Sequence, residues 1–286
     1  MMSFTVFVVL LVVTWFGVTV EGLSEAVAAT CGPPLSAGLY SGSLGVGGQN
    51  RTYYYRIAAN YHPCDAQQLL IGLHGTCGNA TCGTQIDLKY VSQMYAMAPY
   101  SQRAISIYPN ARLCQPSWAN CPQGQYGWDL LPAGDDAMFI AALESWAQET
   151  FNVDASRMFA YGFSRGGFEA EVVHVAQPGT LRAIYAVAGA LPGTSPLPSV
   201  PAAHASRGCD NDNAVPISWM VSTREAWRTV NGCASTGSPF GGDASCVSYD
   251  LCALPVVWCE RSTCSPPHTW TFPQDTQDVC AFFAQY

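Results

Sequence analysis

Short apolar runs alternate with segments of helical period through most of this chain, and that alternation constrains its fold more than any other feature. Residues 68–73 and 104–108 are apolar and β-branched, as strands buried on both faces of a parallel sheet are. The tyrosine-rich 52–58 reads as another strand, and 157–163, 183–188, 200–205 and 255–259 extend the series. Between them, 135–151 carries Met138, Phe139, Ala142, Leu143 and Trp146 at helical spacing, with Asp135 and Asp136 at the end where carboxylates suit the helix dipole. Residues 166–176 and 218–231 also read as helices. Strands separated by helices predict an α/β fold: a central, mostly parallel sheet with right-handed crossovers.

The chain has 286 residues, 49% apolar and only 11% charged, enough to bury one large α/β core. No internal repeat and no Ser/Thr/Pro-rich linker divides it, so 31–286 is expected to form a single domain. The net charge of −8 argues against nucleic acid and against an anionic membrane surface, both of which call for basic side chains. A neutral substrate fits better.

Residues 4–20 form an apolar, valine-rich run closed by Glu21. Its length approaches that of a membrane span. Its N-terminal position and the small residues after it favour a signal peptide over 1–22, with Ala28 as the other cleavage position. Removal would leave no membrane segment. All 13 cysteines follow this run, none in a C-x-x-C pair of the zinc-ribbon type, so disulfides and export are expected. The odd count leaves one thiol over, or pairs it with a second chain. Asn50 and Asn79 each begin an N-x-T glycosylation sequon.

Gly162-Phe163-Ser164-Arg165-Gly166 is the sole G-x-S-x-G in the chain. It follows a predicted strand and opens a predicted helix, the context in which such a turn lifts a serine hydroxyl above the sheet edge. Ser164 is therefore the candidate nucleophile. The bland alternative is a tight glycine turn, and the chain holds 26 glycines. The chain order Ser, acid, His belongs to the α/β-hydrolase fold. Three histidines follow Ser164. His174 lies along the helix after the turn, His204 lies inside an apolar strand, and His268 lies in a loop beyond the last predicted strand, where a general base belongs. The acid should follow the strand at 200–205, and both Asp210 and Asp212 do so. The oxyanion of an acyl-transfer intermediate needs backbone N–H donors. Arg165, next to the serine, and Thr76, in the His74-Gly75-Thr76 loop after 68–73, are the candidates. The set calls for no metal and no cofactor.

These stretches resemble the secreted feruloyl esterase, acetylxylan esterase and polyhydroxybutyrate depolymerase group, and are most similar to single-domain fungal feruloyl esterases. The resemblance is carried by Leu-His-Gly-Thr at 73–76, Tyr-Gly-Phe-Ser-Arg-Gly-Gly at 161–167, Asp-Asn-Ala-Val-Pro at 212–216, Asn-Gly-Cys at 231–233 and His-Thr-Trp at 268–270. It runs from about Cys31 to the C-terminus, and Trp128 and the helix start at 134–136 share it. It implies an α/β-hydrolase fold and a serine carboxylic-ester hydrolase, acting through an acyl-enzyme on hydroxycinnamate esters of plant cell-wall polysaccharide or on small phenolic esters. It selects Asp212 over Asp210 and supports His268. It also implies a Cys233–Cys252 disulfide. The chain departs from the pattern at Arg165, where an apolar or aromatic residue is common, and in its cysteine content. It departs also at 207–210, which read as extra residues between the strand and Asp212. Acetylated xylan and polyester are the alternative substrates, and an inactive carbohydrate- or protein-binding relative is the alternative to an enzyme.

Overall fold

A computed structural model describes residues 31–78, 104–241, 243–271 and 273–286. Residues 1–30, which include the expected signal peptide at 1–22, lie outside the described residues, as do Asn79 and Cys82.

Ten strands form one sheet in the order β1-β2-β4-β3-β7-β8-β9-β12-β11-β10. They are β1 (Gly38–Val46), β2 (Gln49–Ile57), β3 (Gln67–Leu73), β4 (Ala104–Pro109), β7 (Val153–Phe163), β8 (Ala183–Val187), β9 (Ala203–Cys209), β10 (Gly237–Phe240), β11 (Asp243–Tyr249) and β12 (Val256–Arg261). A two-stranded ribbon, β5 (Arg112–Leu113) and β6 (Tyr126–Gly127), stands apart. The six central strands β4, β3, β7, β8, β9 and β12 run parallel, and antiparallel hairpins close both edges. Among the described residues, four helices cover the sheet: α1 (Asp135–Thr150), α2 (Arg165–Ala176), α3 (Ile217–Val230) and α4 (Gln274–Phe283). None among the described residues is long and apolar enough to cross a membrane.

Side-chain alternation along β3 shows why the apolar runs are continuous. Leu69, Ile71 and Leu73 face one core with Phe139, Ile140 and Leu143 of α1. Leu70 faces the other, with Val279, Phe282 and Phe283 of α4. Both faces are dry, so both parities must be apolar.

Three expectations change. The strand expected at 200–205 lies at Ala203–Cys209. Its C-terminal half includes Arg207, fully buried and paired with Asp275 of α4. A charged residue beside a glycine looks like a loop until its partner, 68 positions on, is known. Residues 207–209 therefore continue the strand, and only 210 and 211 separate it from Asp212. On α1, Met138 is 46% exposed, whereas Glu144 is buried. The edge strands β1, β10 and β11, rich in Gly and Ser, and the helix α4 were not evident in the apolar pattern.

Candidate active site

Ser164, Asp212 and His268 sit on turns that follow the C-terminal ends of β7, β9 and β12, the edge at which open parallel sheets bind ligands. Ser164 has φ 55° and ψ −126°, a region that costs a non-glycine residue about 1–3 kcal/mol. Its neighbours hold it there. Its N–H donates to Val187 O (2.9 Å), and its carbonyl accepts from Gly167 N (2.8 Å) and Phe168 N (3.1 Å) as α2 begins. A Cβ on Gly162 would overlap the Gly166 carbonyl, and one on Gly166 would overlap the carbonyls of Leu73 and His74. Only glycine at both positions lets the strand, the turn and the start of α2 come this close.

The structure brings His268 and Asp212 to this serine. His268 Nε2 lies 2.8 Å from Ser164 Oγ. Its Nδ1 lies 2.9 and 3.0 Å from the two Asp212 carboxylate oxygens. Asp212 Oδ1 also accepts the N–H groups of Ala214 and Val215, both at 2.9 Å, so the carboxylate is fixed from behind. The Asp212 side chain is 1% exposed and the imidazole 19%. Phe163 stacks on the ring at 4.9 Å. This geometry suits a neutral imidazole with Nδ1–H toward the carboxylate and Nε2 toward the hydroxyl. Asp210 is exposed at the strand end and does not reach the ring.

The other histidines are occupied elsewhere. His204 Nε2 lies 2.7 Å from Glu171 and the ring stacks on Trp227. His174 Nε2 lies 3.0 Å from the Val200 carbonyl. His74 Nδ1 lies 2.6 Å from Gly75 O, while its Nε2 accepts from Ala111 N at 3.1 Å. That arrangement keeps the ring neutral, and burial lowers its pKa to about 4.

The turn after β3 runs beside the serine: a Cβ on Gly75 would come within 3.2 Å of Ser164 Cβ. Thr76 is the next residue, and Arg165 is the residue after Ser164. The Arg165 side chain does not enter the cleft. It is 6% exposed and donates to the carbonyls of Trp128 (2.6 Å), Ala119 (2.8 Å) and Asn120 (3.3 Å).

A clamp that the sequence reading missed joins the Asp212 and His268 loops. The Cys209–Cys264 disulfide ties the end of β9 to the loop before His268. Asn211 Nδ2 donates to Cys264 O (2.9 Å), and Cys264 N donates to Asn211 Oδ1 (2.8 Å). Arg207 donates to Thr269 O at 2.7 Å, one residue past His268. No local sequence signal marks these partners, which lie more than 50 positions apart.

Further disulfides join Cys31 to Cys64, Cys114 to Cys121, Cys233 to Cys252 and Cys246 to Cys259, and Cys77 is disulfide-bonded as well. Cys280 is buried, which pushes its thiol pKa up to about 12. Cys246, Cys259 and Asp278 have metal-ligand spacing, but the two cysteines are bonded to each other and offer no thiolate. Asn50 is exposed on β2.

No protein-family profile matches the chain. It is similar to feruloyl esterase C of Emericella nidulans, 26% identical over 239 residues, spanning 78% of this chain and 83% of that one. The protein described as "Probable feruloyl esterase C" from Aspergillus clavatus is 26% identical over 273 residues, spanning 89% and 93%. Among solved structures, an acetyl xylan esterase from Aspergillus awamori has a TM-score of 0.60 at 14% identity, covering 85% of this chain and 99% of that one. A ferulic acid esterase from Anaeromyces mucronatus, solved in complex with ferulic acid, has a TM-score of 0.53 at 14% identity, covering 88% and 89%. The resemblance seen in the short motifs therefore extends over most of the chain, and the fold is that of the α/β hydrolases.

Proposed function

We propose that this protein is a serine carboxylic-ester hydrolase that releases hydroxycinnamates such as ferulate from esterified plant cell-wall polysaccharide. The observation that carries the chemistry is the contact of Ser164 Oγ with His268 Nε2 at 2.8 Å, with Asp212 on the far side of the ring. The similarity to feruloyl esterase C over most of both chains supports the acyl group.

In this reading Ser164 Oγ attacks the ester carbonyl carbon while His268 Nε2 takes the hydroxyl proton. Asp212 holds the ring and stabilises the imidazolium. The N–H groups of Thr76 and Arg165 receive the oxyanion. The carbon–oxygen bond to the sugar breaks as His268 returns its proton to the leaving alcohol. Water then attacks the acyl-enzyme with His268 again as base, giving the carboxylic acid and free Ser164. Each half of the cycle begins from an imidazole whose Nε2 is free to accept a proton.

Export is part of the proposal, with residues 1–22 as a signal peptide, 31–286 as the single catalytic domain, and Asn50 and Asn79 as glycan acceptors. The abundance of disulfides supports this compartment.

The test is hydrolysis of methyl ferulate beside a short acetyl ester by the protein and its Ser164→Ala variant. Cleavage of ferulate that vanishes in the variant supports the full reading. Cleavage of acetate alone keeps the chemistry and moves the substrate to acetylated polysaccharide. Turnover that survives Ser164→Ala sinks the assignment of the nucleophile.

A further inference from the structure

Arg165 is the first residue of α2, and its side chain is nearly sequestered from solvent. Burial on that scale has a use only if the guanidinium finds partners. Among the described residues it donates three hydrogen bonds, all to backbone carbonyls, from Nε to Trp128 and from Nη1 to Ala119 and Asn120, and the carboxylates of Glu169, Asp136 and Asp129 act on its charge. Ala119 and Asn120 belong to the loop closed by the Cys114–Cys121 disulfide. Gly127 is pressed so close that a Cβ there would meet Cys121 Sγ at 2.8 Å and Arg165 Cδ at 2.9 Å.

The same short segment, 126–128, is fastened on its other side to the turn that carries Thr76. Trp128 Nε1 donates to His74 O at 2.7 Å, and its ring lies 4.9 Å from the His74 ring. Cys77 N donates to Tyr126 O (3.0 Å), and Tyr126 N donates to Cys77 O (2.7 Å). Three hydrogen bonds thus bracket Thr76, one before it and two after. A continuous path of fixed contacts runs from the Arg165 side chain through Trp128 to the 74–77 turn. At its two ends sit the two backbone donors assigned to the oxyanion.

We propose that Arg165 is a positioning residue for the oxyanion hole: its side chain, acting through Trp128, sets where the Thr76 N–H stands relative to its own. This rests on the esterase reading above. Arginine suits the task because its planar fork meets carbonyls from two segments at once, which a lysine ammonium on a flexible stem does not do. Donors that must meet charge only as it develops have to be held before the reaction, and small misplacements are costly.

The experiment compares Arg165→Lys, Trp128→Phe and the double variant. Arg165→Lys keeps the backbone N–H at 165, so any loss reports the side chain. Turnover of methyl ferulate and p-nitrophenyl acetate is expressed per site titrated with a fluorophosphonate, which discounts unfolded protein. Each single variant is expected to lower kcat about 10- to 100-fold with KM within about 3-fold, since the interaction acts in the transition state. Because both act through one segment, the double variant should lose no more than the worse single one. Unchanged kcat per titrated site in either folded variant overturns the proposal, and so do losses that multiply in the double variant. If Arg165→Lys does not fold, Trp128→Phe decides alone, and full kcat there overturns the proposal. A Ser164→Ala variant that still turns over would instead remove the assignment of the nucleophile, and a parent protein that cleaves neither ester would remove the esterase reading, so these failures are distinct from that of the proposal.

Discussion

Asn211 and Cys264, 53 positions apart, exchange two hydrogen bonds, the side-chain amide of one against the backbone amide of the other. The residue after Asn211 is Asp212, and the loop leaving Cys264 leads to His268. The amide therefore sets the distance between the proposed acid and base. Asn211→Ala should cost about 1–3 kcal/mol, from two bonds lost and a backbone amide left unsatisfied. It should also lower kcat more than it raises KM. Thermal melting and steady-state kinetics check both, and a variant with kcat unchanged would show that the disulfide alone holds the loops.

The buried ion pair between Arg207 and Asp275 is asymmetric in what surrounds it. Asp275 has a second cation, Arg261 Nη1 at 2.8 Å, and accepts Thr271 N at 2.6 Å. Arg207 has Asp275 as its one ion-pair partner among the described residues. Breaking such a pair from one side costs about 3–5 kcal/mol, chiefly through the charge left behind. Asp275→Leu should therefore destabilise more than Arg207→Met, which leaves the carboxylate neutralised by Arg261. Urea titration of the two variants measures the order, and equal losses would mean that Arg261 does not compensate.

Stability should decline on the alkaline side. Burial pushes Glu144 up to about 8 and raises Glu169 well above the ordinary carboxylate range. The folded state then keeps protons that the unfolded chain has released. For Glu144 the contribution is intact below about 4.5 and is lost as pH climbs to about 8, by at most about 1.4 kcal/mol per pH unit. His74 works in the opposite direction. Its lowered pKa, about 4 in the fold, makes stability fall as pH drops below 6.5. The two slopes oppose each other between 4.5 and 6.5; from 6.5 to 8.5 the carboxyl slopes act, and at higher pH the buried Cys280 thiol adds a slope of the same sign. Melting temperatures at pH 6.5 and 8.5 should differ less in Glu144→Gln than in the parent, and an undiminished difference would clear Glu144 of the effect.

The parts of the fold that could be read from the chain are those where burial acts on both sides. β3 and β4 send apolar residues to both cores, Leu69, Ile71, Leu73, Ile105 and Ile107 to one and Leu70, Ala104 and Tyr108 to the other, and such runs have few other uses. The edge strand β1 pairs along its whole length with β2, but Gly and Ser interrupt its apolar residues. Its conformation comes from the neighbouring strand and not from its own residues. β9 was displaced by a few positions because Arg207 is tolerable inside a sheet only with Asp275 against it. The same division holds at the site. Ser164 and His268 stand out through a motif and through chain order. The choice between Asp210 and Asp212 needed the family likeness. Asn211, Arg207 and the inward turn of Arg165 depend on partners that no local pattern indicates.

Ser164 occupies a backbone conformation that suits glycine and not serine. The surrounding hydrogen bonds and close glycines hold it there at a standing energetic cost, so the proposed reactive residue is also a weak point of the fold. Ser164→Gly would relieve that tension while removing the hydroxyl. Such a variant should be inert toward esters and yet unfold at a higher temperature than the parent, a stability–activity trade-off located in one residue. A Gly variant that melts no higher would mean that the turn relaxes on its own when the serine is replaced.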